Sequence, residues 1–285
     1  MSRRIFPSPA KVNLILRVIK KREDGFHDIF SVMQPVSLFD HISIEVKEGD
    51  SISVSSDRTD LPADSSNLAY RAARLFFDLT GIKKGAAIHI QKNIPVGGGL
   101  GGGSSNAATV LIGLNGLTGA GLSEKELMDE SSKLGSDVPF FILKGAAVAT
   151  GRGEVLKKIT LPRFNYVLVN PGLHVSTAWV YNNLDLTKKV EDNILSYSEA
   201  GLWEGERIKR LLVNDLEPVT AKRYPVISEL KRELDGLGAL GALMSGSGPT
   251  VFGVFPDRDS ALSAFKSLKG SLDKRFPVFL AEGLG

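Results

Sequence analysis

No cysteine occurs anywhere in the 285-residue chain, which excludes disulfides and any thiolate nucleophile and fits a reducing compartment. Long apolar runs are missing too: the opening MSRRIFPSPAK has two arginines but no stretch for export, and no later segment is long enough to span a bilayer. The expected location is cytoplasmic, with no membrane partner. A dominant charge is also absent, since 35 Lys and Arg against 32 Asp and Glu leave only +3, with the basic residues spread along the chain. No nucleic-acid-binding arm is expected. There is no internal repeat and no compositional mark of disorder. What is present, 42% hydrophobic and 24% charged residues, is the balance of a globular protein long enough for two domains. The pattern resets around Leu161-Pro162, which divides the chain into residues 1–160 and 161–285.

The most informative stretch is Ile94 to Asn115, IPVGGGLGGGSSNAATVLIGLN. Before it, Ala86, Ile88 and Ile90 alternate with Ala87, His89 and Gln91, the period of a half-buried strand; after it, Ala107, Ala108, Leu111 and Leu114 recur at helical spacing. A strand that enters a helix through Gly97, Gly98, Gly99, Gly101, Gly102 and Gly103 offers backbone N–H groups and a positive helix end to an anion, most simply a phosphate chain. Two specific loops are excluded. A Walker A loop needs a lysine just before the closing Ser or Thr, and none precedes Ser104. A dinucleotide fingerprint, which Gly97, Gly99 and Gly102 satisfy as a bare pattern, needs a second strand ending in an acid; Ser123 and Glu126 instead make a capping box for another helix. The reading that remains is a nucleoside triphosphate held mainly by backbone, with Ser104 or Ser105 capping the helix.

Elsewhere, Val12, Leu14, Leu16 and Val18 share one face of a first strand, and Lys11, Asn13, Ile15 and Arg17 share the other. Periodicity alone leaves Lys11 as either a water-facing edge lysine or a site residue. Phe26-His27 beside a polar turn permits a small stacking site. Ile42, Ile44 and Val46, then Ile52 and Val54 beyond Glu48-Gly49-Asp50, read as a hairpin. Leu68, Ala72, Leu75, Phe76 and Leu79 form the stripe of a helix over 65–81, closed by Gly81. Asp137, followed by Val138-Pro139, is either an N-cap or a poorly solvated carboxylate at a site. In the second half, Ser176 or Thr177 caps a short helix bearing Trp179 and Tyr181, and helical patterns run over 208–213 and 225–237. Ser245-Gly246-Ser247-Gly248-Pro249 makes a second glycine turn, either a plain hairpin or another backbone approach to the same ligand. A last helix over 259–268 and a strand around Val278 complete an α+β second domain.

PSPAKVNL at 7–14, PVGGGLGGGSSNAA at 95–108 and SGSGPTVF at 245–252 resemble, in order and spacing, the three motifs of the galactokinase, homoserine kinase, mevalonate kinase and phosphomevalonate kinase (GHMP) superfamily. Gly25-Phe26-His27, Asn67-Leu68 and Gly135-Ser136-Asp137-Val138-Pro139 are similar to the branch that phosphorylates a cytidine-diphosphate-linked sugar alcohol in the non-mevalonate isoprenoid pathway. The resemblance implies a two-domain α+β fold with the active site in the inter-domain cleft, ATP with Mg²⁺, and a monomer or weak homodimer. Residue by residue it implies that Lys11 and Asp137 are catalytic, that Pro95, Val96, Gly97, Gly98, Gly99, Leu100, Gly101, Gly102, Gly103, Ser104 and Ser105 form the ATP phosphate loop, and that Asn67 and Lys92 lie near the adenosine. Asn13, Phe26, His27, Thr177 and Tyr181 fall on the acceptor side. The sequence does not identify the ligands of the Mg²⁺. One departure stands out: position 26, most often tyrosine in this family, is phenylalanine here, so stacking survives and a hydroxyl contact does not. Other superfamily kinases, of homoserine or mevalonate type, and a silent nucleotide-sensing relative are the alternatives.

Overall fold

The computed structural model describes residues 3–186, 203, 205, 207–272 and 276–285. In chain order the elements are β1 (Arg4–Lys21), β2 (His27–Glu48), β3 (Ile52–Ser56), α1 (Leu68–Thr80), β4 (Lys84–Gln91), α2 (Gly102–Thr118), α3 (Glu124–Ser131), α4 (Val138–Leu143), β5 (Ala147–Thr150) and β6 (Val155–Lys158). They continue with β7 (Asn165–Val169), α5 (Thr177–Asn182), α6 (Arg207–Leu211), β8 (Val213–Asn214), α7 (Glu217–Arg223), α8 (Val226–Gly236), β9 (Gly241–Met244), β10 (Val251–Phe255), α9 (Arg258–Ser271) and β11 (Val278–Glu282). The fold is α+β. Two compact units interleave along the chain. The first gathers the residues up to Ala10, Phe39–Val96 and Gly101–Lys144; the second gathers Lys11–Leu38, Gly97–Leu100 and the described part of Gly145–Gly285. Strands β1 and β2 and the glycine loop therefore contribute to both.

In the first unit β4 lies between β2 and β3. Ile42, Ile44 and Val46 of β2 stand antiparallel to Ile90, Ile88 and Ala86, while Val54 of β3 runs parallel to β4 opposite Ile88. The expected hairpin of β2 with β3 is thereby corrected. Short loop length favours a hairpin, but β4, with Ala86, Ile88 and Ile90 all buried, takes the central place and gives each neighbour a full ladder. Helix α1 begins at Leu68 rather than Ser65, because Asn67 is its N-cap: the side chain accepts the Ala69 N–H. It buries Ala69, Ala72, Ala73, Phe76 and Phe77 and packs against α2; Phe76 alone contributes about 2–3 kcal/mol of burial. Leu79 of the expected stripe faces water instead, 41% exposed, one turn beyond the packed face. The capping box of α3 is present in both directions between Ser123 and Glu126.

The second unit carries a separate sheet of order β11-β7-β10-β9, with α8 and α9 packed on it. Val167, Val169, Ile227, Leu230, Leu234, Val251, Phe255 and Leu268 share one core with Leu16 and Val18 of β1. Val213 belongs to β8, which pairs parallel with β1 at Ile15 and Leu16, so the expected helix over 208–213 stops at Leu211. Helix α7 was not foreseen, although Glu217 and Pro218 in its first turn are starting signals. Both faces of β1 are buried here: Val12, Leu14, Asn13 and Ile15 are all inaccessible or nearly so.

Candidate active site

Lys11 is 4% exposed, which removes the edge-strand reading. An ammonium taken out of water needs partners, and its Nζ donates to Asn13 Oδ1 two residues along the same face of β1. Asn13 Nδ2 in turn donates to Ser31 Oγ at 2.9 Å, and Ser31 Oγ to the Ile15 carbonyl at 2.7 Å. The backbone N–H of Lys11 donates to the Leu100 carbonyl at 3.0 Å, which ties this strand to the glycine loop.

Within the second unit, Gly97–Leu100 lies directly on the Ser245–Gly248 turn. Ser245 Oγ donates to the Gly99 carbonyl at 2.9 Å, and the Thr250 N–H to the Gly98 carbonyl at 3.3 Å. A Cβ on Gly99, where φ is +76°, would sit 2.1 Å from the Ser245 carbonyl oxygen; only glycine permits this approach. Gly97, at φ +64°, has open space around it apart from His174 Nδ1 at 3.9 Å. The second turn is fixed from behind by Asn214 Nδ2, which donates to the carbonyls of Met244 and Gly246, both at 2.7 Å. The second glycine turn is therefore both a hairpin loop between β9 and β10 and a backbone platform for the first.

From that turn the contacts run on to α5. Ser247 Oγ and Thr177 Oγ1 are 2.8 Å apart, and Ser176, the N-cap, accepts the Trp179 N–H. One helical turn past Thr177, Tyr181 stacks on His27 with ring centroids 4.9 Å apart and planes at 29°. His27 is buried, and that burial first, then the Lys21 charge, pushes its pKa below the ordinary histidine value. Phe26 lies outside this stack, 52% exposed, with the Arg152 guanidinium over its ring. Lys11, Asn13, Gly97–Leu100, Thr177, His27 and Tyr181 thus form one connected group.

The first unit treats its candidate residues differently. Helix α2 starts at Gly102 with Gly101, in the left-handed conformation, as N-cap, so Ser104 and Ser105 lie inside the helix and neither caps it. Ser105 is fully buried and accepts from Ser8 Oγ at 2.8 Å. Lys92 Nζ is ion-paired with buried Asp40; burial pushes the lysine pKa down while Asp40 pulls it back. Asp40 also accepts from the Asn93 and Ile94 N–H groups, both at 2.8 Å, and from Asn106 Nδ2 at 2.9 Å. A Cβ on Gly102 would come 2.7 Å from Lys92 Nζ. Asn67 caps α1 and donates to the Pro62 carbonyl at 2.7 Å. Asp137 stands at the N-cap position of α4 with Pro139 just inside, yet its side chain makes no capping hydrogen bond. Asp40 and Ser8 were missed as organising residues; an acid closing the apolar-rich run Pro35–Phe39 was the available signal for Asp40. Among the described residues, no group of three or more His, Asp or Glu side chains is placed to hold a metal ion, and no helix is long and apolar enough to cross a membrane.

The family descriptions "GHMP kinases N terminal domain" and "GHMP kinases C terminal" match residues 67–145 and 204–274. Both parts of a GHMP kinase are accounted for, in order. The chain is 54% identical over 264 residues to the 4-diphosphocytidyl-2-C-methyl-D-erythritol kinase of Syntrophotalea carbinolica, spanning 92% of this chain and 93% of that one. It is 50% identical over 258 residues to the kinase of the same name from Pelobacter propionicus, spanning 90% and 91%. A crystal structure of 4-(cytidine 5'-diphospho)-2C-methyl-D-erythritol kinase matches with TM-score 0.80 and 33% identity over 99% of this chain and 100% of that one. A homoserine kinase from Cytophaga hutchinsonii, TM-score 0.72 at 20% identity over 97% and 94%, shares the fold. The chain belongs to the 4-diphosphocytidyl-2-C-methyl-D-erythritol kinase family of the GHMP kinases.

Proposed function

We propose that the chain transfers the γ-phosphoryl group of ATP to the 2-hydroxyl of 4-diphosphocytidyl-2-C-methyl-D-erythritol, giving ADP and the 2-phosphate, a step of the non-mevalonate isoprenoid pathway. The observation that carries this reading is the 54% identity, over more than nine tenths of both chains, to a kinase named for that acceptor. The glycine loop supports it: φ values of +64°, +76° and +69° at Gly97, Gly99 and Gly101 put the backbone in a left-handed region that favours glycine and leaves no side chain in the way, ahead of helix N–H groups that have no intrahelical acceptor. A triphosphate fits such a cradle. Pro95 to Ser105 would hold it, with Asn67 and Lys92 near the adenosine. Mg²⁺, expected with ATP, would neutralise charge on the triphosphate when bound.

A sugar hydroxyl is a weak nucleophile at neutral pH. Asp137, at the start of α4, accepts the hydroxyl proton or orients the hydroxyl as the phosphoryl group arrives. Lys11 supplies positive charge from a dry position, where it is worth more than in water, and Asn13 holds its ammonium. Phe26, His27, Thr177 and Tyr181 receive the cytidine. Residues 1–160 then carry ATP binding and catalysis and 161–285 the second kinase domain, in a cytoplasmic monomer or weak homodimer. The test is ADP release with ATP and Mg²⁺ against the cytidine-linked acceptor, its uridine analogue, homoserine and mevalonate. Strong preference for the cytidine compound is expected, because a wrong base leaves buried polar groups unpaired; equal rates on the uridine analogue would overturn the cytosine-reading site.

A further inference from the structure

The turn between β1 and β2 holds its backbone firmly and leaves its aromatic side chain in solvent. The Phe26 N–H donates to Asp24 Oδ1 at 3.1 Å, its carbonyl accepts the Arg22 N–H at 2.8 Å, and the ring is 52% exposed. One face of that ring is covered: the Arg152 guanidinium carbon lies 4.8 Å from its centroid. Arg152 is itself fastened. Glu154 Oε2 accepts its backbone N–H at 2.7 Å, Glu154 Oε1 lies 3.8 Å from its Nε, and the Gly151 carbonyl accepts the Ile29 N–H at 2.7 Å. The last contact pins the turn after β5 beside the strand that carries His27.

We propose that Arg152 is a positioning residue for the acceptor's pyrimidine, its guanidinium fixing the plane of Phe26 from one face so that the opposite face is the stacking platform. A phenylalanine has no hydroxyl with which to anchor its ring. A planar cation lying on the ring supplies that anchor through its face and restrains the ring before the base arrives. The inference rests on the reading above in which Phe26 meets cytosine. The competing arrangement, with the guanidinium on the face the base needs, predicts the opposite sign, since removing it would then improve binding.

The experiment is steady-state kinetics on the full-length enzyme, varying the cytidine-linked acceptor and then ATP, for Arg152→Ala, Arg152→Lys, Phe26→Ala and the double variant Phe26→Ala/Arg152→Ala. Arg152→Ala should raise the acceptor KM about threefold to tenfold, the size of a partly desolvated cation–π contact, with kcat and the ATP KM unchanged. Arg152→Lys should recover part of the loss, because an ammonium still rests on the ring while the planar stack is gone. In the Phe26→Ala background the arginine change should add nothing. If Phe26→Ala raises the acceptor KM while Arg152→Ala leaves it unchanged, lowers it, or adds fully to it, the role of Arg152 is wrong and the platform stands. An unchanged KM in Phe26→Ala would overturn the platform, and this inference with it.

Discussion

The two compact units hold their candidate residues in different ways. In the second, the glycine loop is held through its carbonyls by Ser245 and Thr250, the Thr177 hydroxyl pairs with that of Ser247 in the same turn, and His27 and Tyr181 stack on each other. In the first, the side chains of Asn67, Lys92 and Ser105 are engaged within the unit, in a cap, an ion pair and a hydroxyl pair. A residue at a binding position therefore need not bind through its side chain. We expect the first-unit positions to act by fixing the entry strand and the start of α2, and the second-unit positions to meet ligand directly.

The strongest way to break this contrast is at Asp40. Asp40→Ala leaves the Lys92 ammonium buried without its counter-ion and frees two loop N–H groups, which should cost on the order of 3–5 kcal/mol in denaturant unfolding. Adding Lys92→Met should return part of that; an exposed pair would show neither effect. Next is Gly99→Ala. A Cβ 2.1 Å from the Ser245 carbonyl at φ +76° forces the two glycine turns apart, and a loss of about 2–3 kcal/mol with severely weakened ATP binding by calorimetry is expected. Unchanged ATP affinity would mean that the Ser245 turn does not shape the loop. Gly97→Ala meets open space, so only the left-handed backbone resists it: roughly 1–2 kcal/mol, seen in ATP affinity more than in melting temperature.

The smallest effect is on pH dependence. Burial depresses the His27 pKa, so between its folded value and the ordinary one, about 6.5, the unfolded chain binds more protons than the folded chain. The stability it contributes is present above that ordinary value and lost as pH falls through the folded value. His27→Gln should flatten the decline of melting temperature in acid; an unaltered slope would mean that the ring titrates in open solvent.

Elements with a strong local period were legible in the sequence: β4, α2, the capping box of α3 and the Gly81 stop of α1. Pairing was not. The chain between β2 and β3 looks like a hairpin because its turn is short, and nothing within 42–54 reveals that β4, thirty residues on, separates them. Alternation also failed to fix the exposure of Lys11, since period two divides a strand into faces without saying that both are covered. The expected seryl cap of α2 is absent for a local reason: Gly101 takes a left-handed conformation and starts the helix before either serine. The compact units interleave because long strands serve both, an arrangement that local periods in the sequence do not reveal.

The central claim is that Asp137 and Lys11 act on the chemistry and not on the fold. It is tested most directly by measuring kcat and ATP affinity together in Asp137→Asn, on protein whose melting temperature matches the parent. The account predicts a fall in kcat of about 10²–10⁴-fold, the range for a missing general base, with ATP binding retained. Turnover near that of the parent enzyme would contradict it and return Asp137 to the role of an ordinary helix start.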